Sequence, residues 1–270
     1  MKVYNNIYFA YVDILGYKNF ENKINSYPKE TSEHFLNSLF SQLEGNIKLL
    51  QTNSGLIWRR YGDGYVILST DDNVLALSEI VKKSSRLIAF ALNISIPLRI
   101  AITQGNLNID EPEQGLQISG TGWINLLKLE SSLNWMGGIL YLPNYDGTHQ
   151  PTVQSLISAT NLIKRQNITK EINFIPQIKA GVNLHIDKYW FLNWYKIFKQ
   201  PKSQLDTSIN NWWSQILPHR GLNDCEEVQN KQINTIEFAD YCRALLEACE
   251  LVFFSEIDRN IMIGEIQGSV

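Results

Sequence analysis

Ile7-Tyr8-Phe9-Ala10-Tyr11-Val12-Asp13-Ile14-Leu15-Gly16-Tyr17-Lys18 is the stretch on which the fold turns. Ile7 to Val12 is an unbroken apolar and aromatic run, short and rich in β-forming residues, which predicts a buried strand. It ends on a carboxylate, Asp13, and a helical pattern starts near Tyr17. A buried charge without a partner is costly. Asp13 therefore either caps the helix or faces something positive.

A second stretch, Arg59-Arg60-Tyr61-Gly62-Asp63-Gly64-Tyr65-Val66-Ile67-Leu68, also sets a carboxylate at the end of an apolar run. Leu56 to Tyr61 and Tyr65 to Ser69 flank Gly-Asp-Gly and predict a β-hairpin with a tight turn. In an antiparallel sheet the tip of that hairpin can lie beside the end of the first strand. Asp13 and Asp63 would then repel unless they shared a cation. Oxygen ligands of this kind suit Mg²⁺ or Mn²⁺, which also bind substrate phosphates. Backbone N–H groups at the helix start, loosened by Gly16, form a site for phosphate oxygens, and Lys18 adds charge. The chemistry suggested is phosphoryl or nucleotidyl transfer with one or two metals.

Periodicity fills in the rest. Three- and four-residue apolar steps predict helices over Tyr17–Ile24, Thr31–Thr52, Asp72–Asn93, Gly120–Asn134, Pro151–Lys164 and Ile236–Phe254. Strands are expected over Pro97–Gln104, ended or bent by Gly105, and over Gly138–Leu142 and Ile172–Leu184. Asn106 to Gly115 is polar and reads as a loop or ribbon tip. This order suits an α+β sandwich, one mostly antiparallel sheet with helices on one face. The aromatic cluster Tyr189, Trp190, Phe191, Trp194, Tyr195, Phe198, Trp212 and Trp213 is expected to be core or subunit interface rather than a ligand-stacking surface.

Composition limits the function classes. With 270 residues, 44% hydrophobic and 19% charged, the chain can bury a sizeable core, and its net charge of −3 lacks the basic excess of a duplex-DNA binder. Cys225, Cys242 and Cys249 form no CxxC pair, so neither a disulfide framework nor a structural zinc site is expected. His34, His149, His185 and His219 are scattered and are assigned to no metal. No apolar stretch approaches a membrane span and no signal peptide is visible, so a soluble cytoplasmic protein is expected.

Asp13-Ile14-Leu15-Gly16-Tyr17 resembles the D-I-x-G-F motif of the class III nucleotidyl cyclases, the adenylate and guanylate cyclase catalytic domain. Gly62-Asp63-Gly64 resembles the hairpin that supplies their second metal aspartate, and the spacing between the two also fits. Leu98-Arg99-Ile100-Ala101-Ile102-Thr103-Gln104-Gly105 is similar to their I-G-I-H-x-G strand. Gly120-Thr121-Gly122-Trp123-Ile124-Asn125-Leu126-Leu127-Lys128-Leu129-Glu130 is similar to their G-x-x-V-N-x-A-A-R-L-E helix. The pattern looks closest to the bacterial pyrimidine cyclases of Pycsar anti-phage defence. The resemblance covers about residues 7–145.

It implies a ferredoxin-like class III cyclase sandwich, a mostly antiparallel sheet with helices packed on it and an α-rich C-terminal extension. Residues 1–145 would be the cyclase core, and 146–270 the remainder of the sheet and the extension. Asp13, Asp63 and the carbonyl of Ile14 would hold two divalent ions, Mn²⁺ or Mg²⁺. The backbone of Ile14, Leu15, Gly16, Tyr17 and Lys18 would cradle the phosphates of a nucleoside triphosphate. The product would be a 3′,5′-cyclic nucleotide, released with pyrophosphate and read by a separate effector. A homodimer with sites at the interface is implied, with no nucleic acid and no membrane span. Asn125 and Lys128 stand nearest the transition-state asparagine and arginine, although lysine cannot reproduce an arginine fork. Ile57 and Gln117 occupy the positions of the purine-reading lysine and aspartate. That absence favours a pyrimidine, UTP before CTP, with Trp58, Arg59, Arg99 and Gln117 as candidate substrate contacts. The alternatives are a cytidylate cyclase with the same mechanism, a diguanylate-cyclase or polymerase-palm relative sharing the two-aspartate sheet, and a cyclase-like module that binds nucleotide without turnover.

Overall fold

The computed structural model describes residues 1–15, 17, 29–52, 54–112, 115–133, 135–147, 149–159, 162–164, 188–198, 203–205, 207–208, 230–231 and 233–243. Eight strands form one sheet: β1 (Lys2–Ile14), β2 (Leu56–Tyr61), β3 (Gly64–Ser69), β4 (Leu98–Asp110), β5 (Gln117–Ser119), β6 (Gly137–Tyr141), β7 (Leu162–Lys164) and β8 (Tyr189–Leu192). Their order is β2-β3-β1-β4-β6-β8-β7, with β5 paired to β4. Among the described residues, only β4 and β6 run parallel, and every other pairing is antiparallel. The helices among the described residues include α1 (Lys29–Gln51), α2 (Val74–Asn93), α3 (Thr121–Ser131), α4 (Gln150–Ser158) and α5 (Tyr195–Phe198). The architecture is α+β, as expected.

Alternation along β1 sorts the core from the site. Successive strand side chains point to opposite faces. Val12 and its partner Ile100 share one face with Gly138, over which Ile88 of α2 packs. Tyr11 turns the other way and meets Trp123 of α3, ring centroids 5.5 Å apart. Helices therefore cover both faces, which corrects the one-face expectation. The long helix α2 covers the apolar face, and its N-cap Asn73 accepts from the N–H groups of Leu75 and Ala76. The shorter α3 crosses the other. Its entry is tight: a Cβ on Gly122 would lie 2.7 Å from the Asn106 carbonyl oxygen.

Several boundaries differ from the sequence expectation. β1 begins at Lys2 rather than Ile7, because a bulge between Tyr4 and Ile7 absorbs the polar Asn5-Asn6 pair. Asn6 takes φ 55 there, and its N–H donates to Asn106 Oδ1 at 2.7 Å. β4 continues through Gly105 to Asp110, because β1 and β5 supply partners. The helix expected over Pro151–Lys164 stops at Ser158, and Leu162–Lys164 pairs with β8 as an edge strand. Trp190, Trp194, Phe191 and Phe198 are buried, so the described part of the aromatic cluster is core. The helix expected over Ile236–Phe254 is present across residues 233–243. The expected strand over Ile172–Leu184, together with Trp212, Trp213, Cys225, Cys249, His185 and His219, lies outside the described residues, as does the predicted Tyr17–Ile24 helix beyond Tyr17.

Candidate active site

Asp13 sits at the C-terminal end of β1, opposite Arg99 on β4. Asp63 sits in the two-residue turn between Tyr61 and Gly64, the last pair of the β2–β3 ladder. Gly64 brings the hairpin tip against the end of β1. A Cβ there would stand 2.0 Å from the Val12 carbonyl oxygen, so any side chain would force the two strands apart. The glycine after Asp63 thus permits the approach of the two aspartate-bearing ends.

A partly buried ion-pair cluster surrounds Asp13. Arg99 donates to Asp13 Oδ2 through Nη2 at 2.6 Å and Nε at 3.2 Å. The same Nη2 stands 2.7 Å from Glu130 Oε1 on α3. No N–H is aligned along that second line, so Glu130 Oε1 accepts no hydrogen bond although Glu130 is only 6% exposed. Burial pushes the Glu130 carboxyl up to about 7; Arg99 pulls it down, while the charge of Asp13, a hydrogen bond between the Glu130 and Asp13 carboxyls and the charge of Asp63 push it further up. Burial, and then the charges of Asp13, Asp63 and Glu130, also hold the Tyr11 hydroxyl well above its ordinary range. Two carboxylates therefore share one guanidinium, with the charge of Asp63 acting on Glu130 as well, and Glu130 is not among the site residues expected from the sequence. Its signal was available: Trp123, Leu126 and Glu130 are spaced to share one helix face, so a charge falls on an apolar stripe.

The donor chemistry fits an oxygen-preferring divalent ion. The excess of negative charge and the orphaned Glu130 oxygen are what an added cation would relieve. Among the described residues, no group of three or more His, Cys, Asp or Glu is set to hold a metal ion by itself. Two carboxylates would leave the remaining positions to substrate oxygens and water, the way Mg²⁺ is usually held.

The other expected residues divide. Arg59 and Tyr61 project to the Tyr11 face, and the Tyr61 ring lies 5.1 Å from Trp123. Arg59 Nε donates to Glu111 at 2.7 Å. Trp58 projects to the opposite face and is buried, so the structure does not bring it to the aspartates. Arg99 is engaged by Asp13 and Glu130. Ile14 and Leu15 are buried, and the Leu15 N–H is committed to the Pro97 carbonyl at 3.0 Å. Tyr17 is half-buried, and Gly16 and Lys18 lie outside the described residues. Asn125 and Lys128 share the exposed face of α3 with Ile124, away from Glu130. Gln117 lines a cleft of about 590 Å³ beside the hairpin tip, with Arg60, Tyr61, Gly62, Gly115 and Leu116.

No protein-family model matches the chain, and no curated protein is similar to it. Solved structures are similar at low identity. The non-canonical dimeric guanylyl cyclase domain of the RhoGC fusion protein from the aquatic fungus Blastocladiella emersonii is 15% identical, over 57% of this chain and 86% of that one, with a TM-score of 0.42. The adenylyl cyclase CyaB from P. aeruginosa is 12% identical, over 71% and 96%, with a TM-score of 0.44. The catalytic core of a rhodopsin-guanylyl cyclase with converted specificity, in complex with ATPalphaS, is 15% identical, over 70% and 97%, with a TM-score of 0.45.

Proposed function

We propose that the chain is a metal-dependent nucleotidyl cyclase, acting on a pyrimidine nucleoside triphosphate and on UTP before CTP. The observation that carries this reading is the seating of the Gly62-Asp63-Gly64 tip against the strand end bearing Asp13. The resemblance of the four sequence motifs supports it.

Asp13, Asp63 and the Ile14 carbonyl would hold one or two divalent ions. When bound, these supply charge neutralisation for the triphosphate and for the attacking hydroxyl. The protein's own part is to position the reactants. The 3′-oxygen would bond to the α-phosphorus and give its proton to solvent water as the bond to pyrophosphate breaks and pyrophosphate leaves, giving a 3′,5′-cyclic nucleotide. The cleft beside the hairpin, with Tyr61 and Gln117, is where the base would be received. Ile57 and Gln117 stand where a purine cyclase has its lysine and aspartate, which favours the smaller base. Asn125 and Lys128 face outward on α3. They would act on the site of a second copy, with the two sites at the dimer interface. A cyclic pyrimidine nucleotide fits a defence signal passed to a separate effector, the role of the bacterial cyclases whose motifs this chain resembles.

A second reading, a nucleotide-binding module without turnover, is favoured by one observation: Asp13 is already ion-paired to Arg99. Incubation of the purified chain with UTP, CTP, ATP and GTP at equal concentration and Mn²⁺, with products resolved by mass, separates the readings. Cyclic UMP as the main product is expected. Predominant cyclic AMP or cyclic GMP overturns the pyrimidine assignment, and no product with any nucleotide favours the binding module.

A further inference from the structure

We propose that Arg99 is a movable counter-charge for the aspartate site and that Glu130 is the residue that receives it when Asp13 turns to a metal ion. The inference rests on the metal-dependent reading above and deepens it.

The geometry carries the argument. Arg99 Nη2 lies between two carboxylates, 2.6 Å from Asp13 Oδ2 and 2.7 Å from Glu130 Oε1. Its hydrogen bonds are spent on one of them: both Nε and Nη2 donate to Asp13 Oδ2. Glu130 Oε1 is buried beside it and accepts nothing. An unsatisfied buried acceptor is a standing cost. A guanidinium has five N–H groups in a rigid plane, so a small turn of the group redirects a donor to Glu130 without moving the charge far.

A divalent ion and a guanidinium on the same carboxylate repel, and a poorly solvated site strengthens that repulsion. A cation entering at Asp13 therefore drives Arg99 away. Glu130 gives it a place to go and gains its missing hydrogen bond in the same step. Without Glu130, Arg99 keeps Asp13 as its one carboxylate partner, beside the Leu133 carbonyl that accepts from Nη1 at 3.5 Å, and competes with the ion. Both are positioning residues, because neither needs to touch the substrate.

General charge effects would also make Glu130→Gln weaken and Arg99→Gln strengthen metal binding, so the decisive measurement is a double-mutant cycle. Mn²⁺ binding to the full chain without nucleotide is read from the free-ion EPR signal, and circular dichroism checks each variant's fold. Glu130→Gln is expected to weaken Mn²⁺ binding at least tenfold in the wild-type background and less than twofold in the Arg99→Gln background. An equal effect in both backgrounds overturns the proposal. Should Arg99→Gln not fold, Glu130→Gln alone decides: unchanged or tighter Mn²⁺ binding overturns it. Asp13→Asn and Asp63→Asn separate the two levels. If they bind Mn²⁺ like wild type, the metal site itself is wrong, and the inference falls with it. If they lose Mn²⁺ while the cycle is additive, only the Arg99–Glu130 inference fails.

Discussion

Along β1, Ala10, Val12 and Ile14 turn to the α2 side of the sheet and are at most 1% exposed, whereas Phe9, Tyr11 and Asp13 turn to the α3 side. On the first face the partners are apolar: Leu98, Ile100 and Ile102 from β4, with Ile88 packed over Gly138. On the second face the strand ends on charges, with Asp13 opposite Arg99 and Glu130 above them. One strand thus builds a core and a polar site at once, because its side chains alternate with a period of two. The core face needs only volume and apolarity. The other face needs each charge matched to another, and its cover, α3, is about half the length of α2.

The largest expected effect separates these two roles. On the site face, Asp63→Asn should lower cyclic-nucleotide formation by about a thousandfold or more, roughly 4 kcal/mol of barrier. The melting temperature should barely move, because Asp63 lies in a partly exposed turn. Asp13→Asn should lose as much activity and also about 2 kcal/mol of stability, since Arg99 loses its ionised acceptor. On the core face, Ile100→Ala should cost about 2–5 kcal/mol of stability while the folded fraction keeps its turnover. Product formation and urea unfolding on the three variants check this. An active Asp63→Asn would remove the second aspartate from the site, and a fully stable Ile100→Ala would remove the distinction between the faces.

Much of this contrast was legible in the sequence, for physical reasons. The Leu56–Tyr61 and Tyr65–Ser69 runs, with Gly-Asp-Gly between them, specify a hairpin through local turn chemistry alone. The apolar steps of α2 specify a helix through its buried stripe. What was not legible depends on pairing between distant segments. Lys2 to Asn6 and Asn106 to Asp110 are rich in polar residues, and they become strands because they pair with each other and Asn108 to Asp110 pairs with β5 as well. Leu162–Lys164 is too short to show a period and becomes a strand by lying against β8. In the site, Asp13 and Asp63 announced themselves as carboxylates at the ends of apolar runs. Glu130 did not, because it acts across a tertiary contact with Arg99, and only its place on the buried stripe of α3 hinted at it.

A smaller effect tests whether Glu130 belongs to the buried face of α3. Burial pushes its carboxyl up to about 7 in the folded chain, from an ordinary 4.5. Between those values the folded chain holds a proton that the unfolded chain has released. This contribution is fully present below about pH 4.5 and is lost as the pH rises through about 7. Raising the pH from 5 to 8 should therefore cost the wild type on the order of 2 kcal/mol that Glu130→Gln does not lose. Urea midpoints of both proteins at the two pH values give the comparison. Parallel pH profiles would mean that Glu130 is solvated and that burial does not govern its titration.

The smallest effect comes from the second arginine–glutamate contact, and it sharpens the contrast by holding distance constant. Arg59 Nε to Glu111 is 2.7 Å, the same separation as Arg99 Nη2 to Glu130. The Arg59 and Glu111 side chains are 38% and 48% exposed, whereas those of Arg99 and Glu130 are 14% and 8% exposed. Arg59 lowers the Glu111 carboxyl below its ordinary range, first through the hydrogen bond and then through its charge. Water and salt nevertheless solvate both groups almost as well when they are apart. Glu111→Gln should therefore leave the melting temperature unchanged at low and at high salt. Glu130→Gln should shift it in both, because salt does not penetrate to the buried pair. If Glu111→Gln destabilised the chain as much as Glu130→Gln, contact distance rather than burial would be setting the energy of these pairs. The Arg59–Glu111 ion pair would then matter to the end of β4 as much as the bulged ladder that joins β4 to β1.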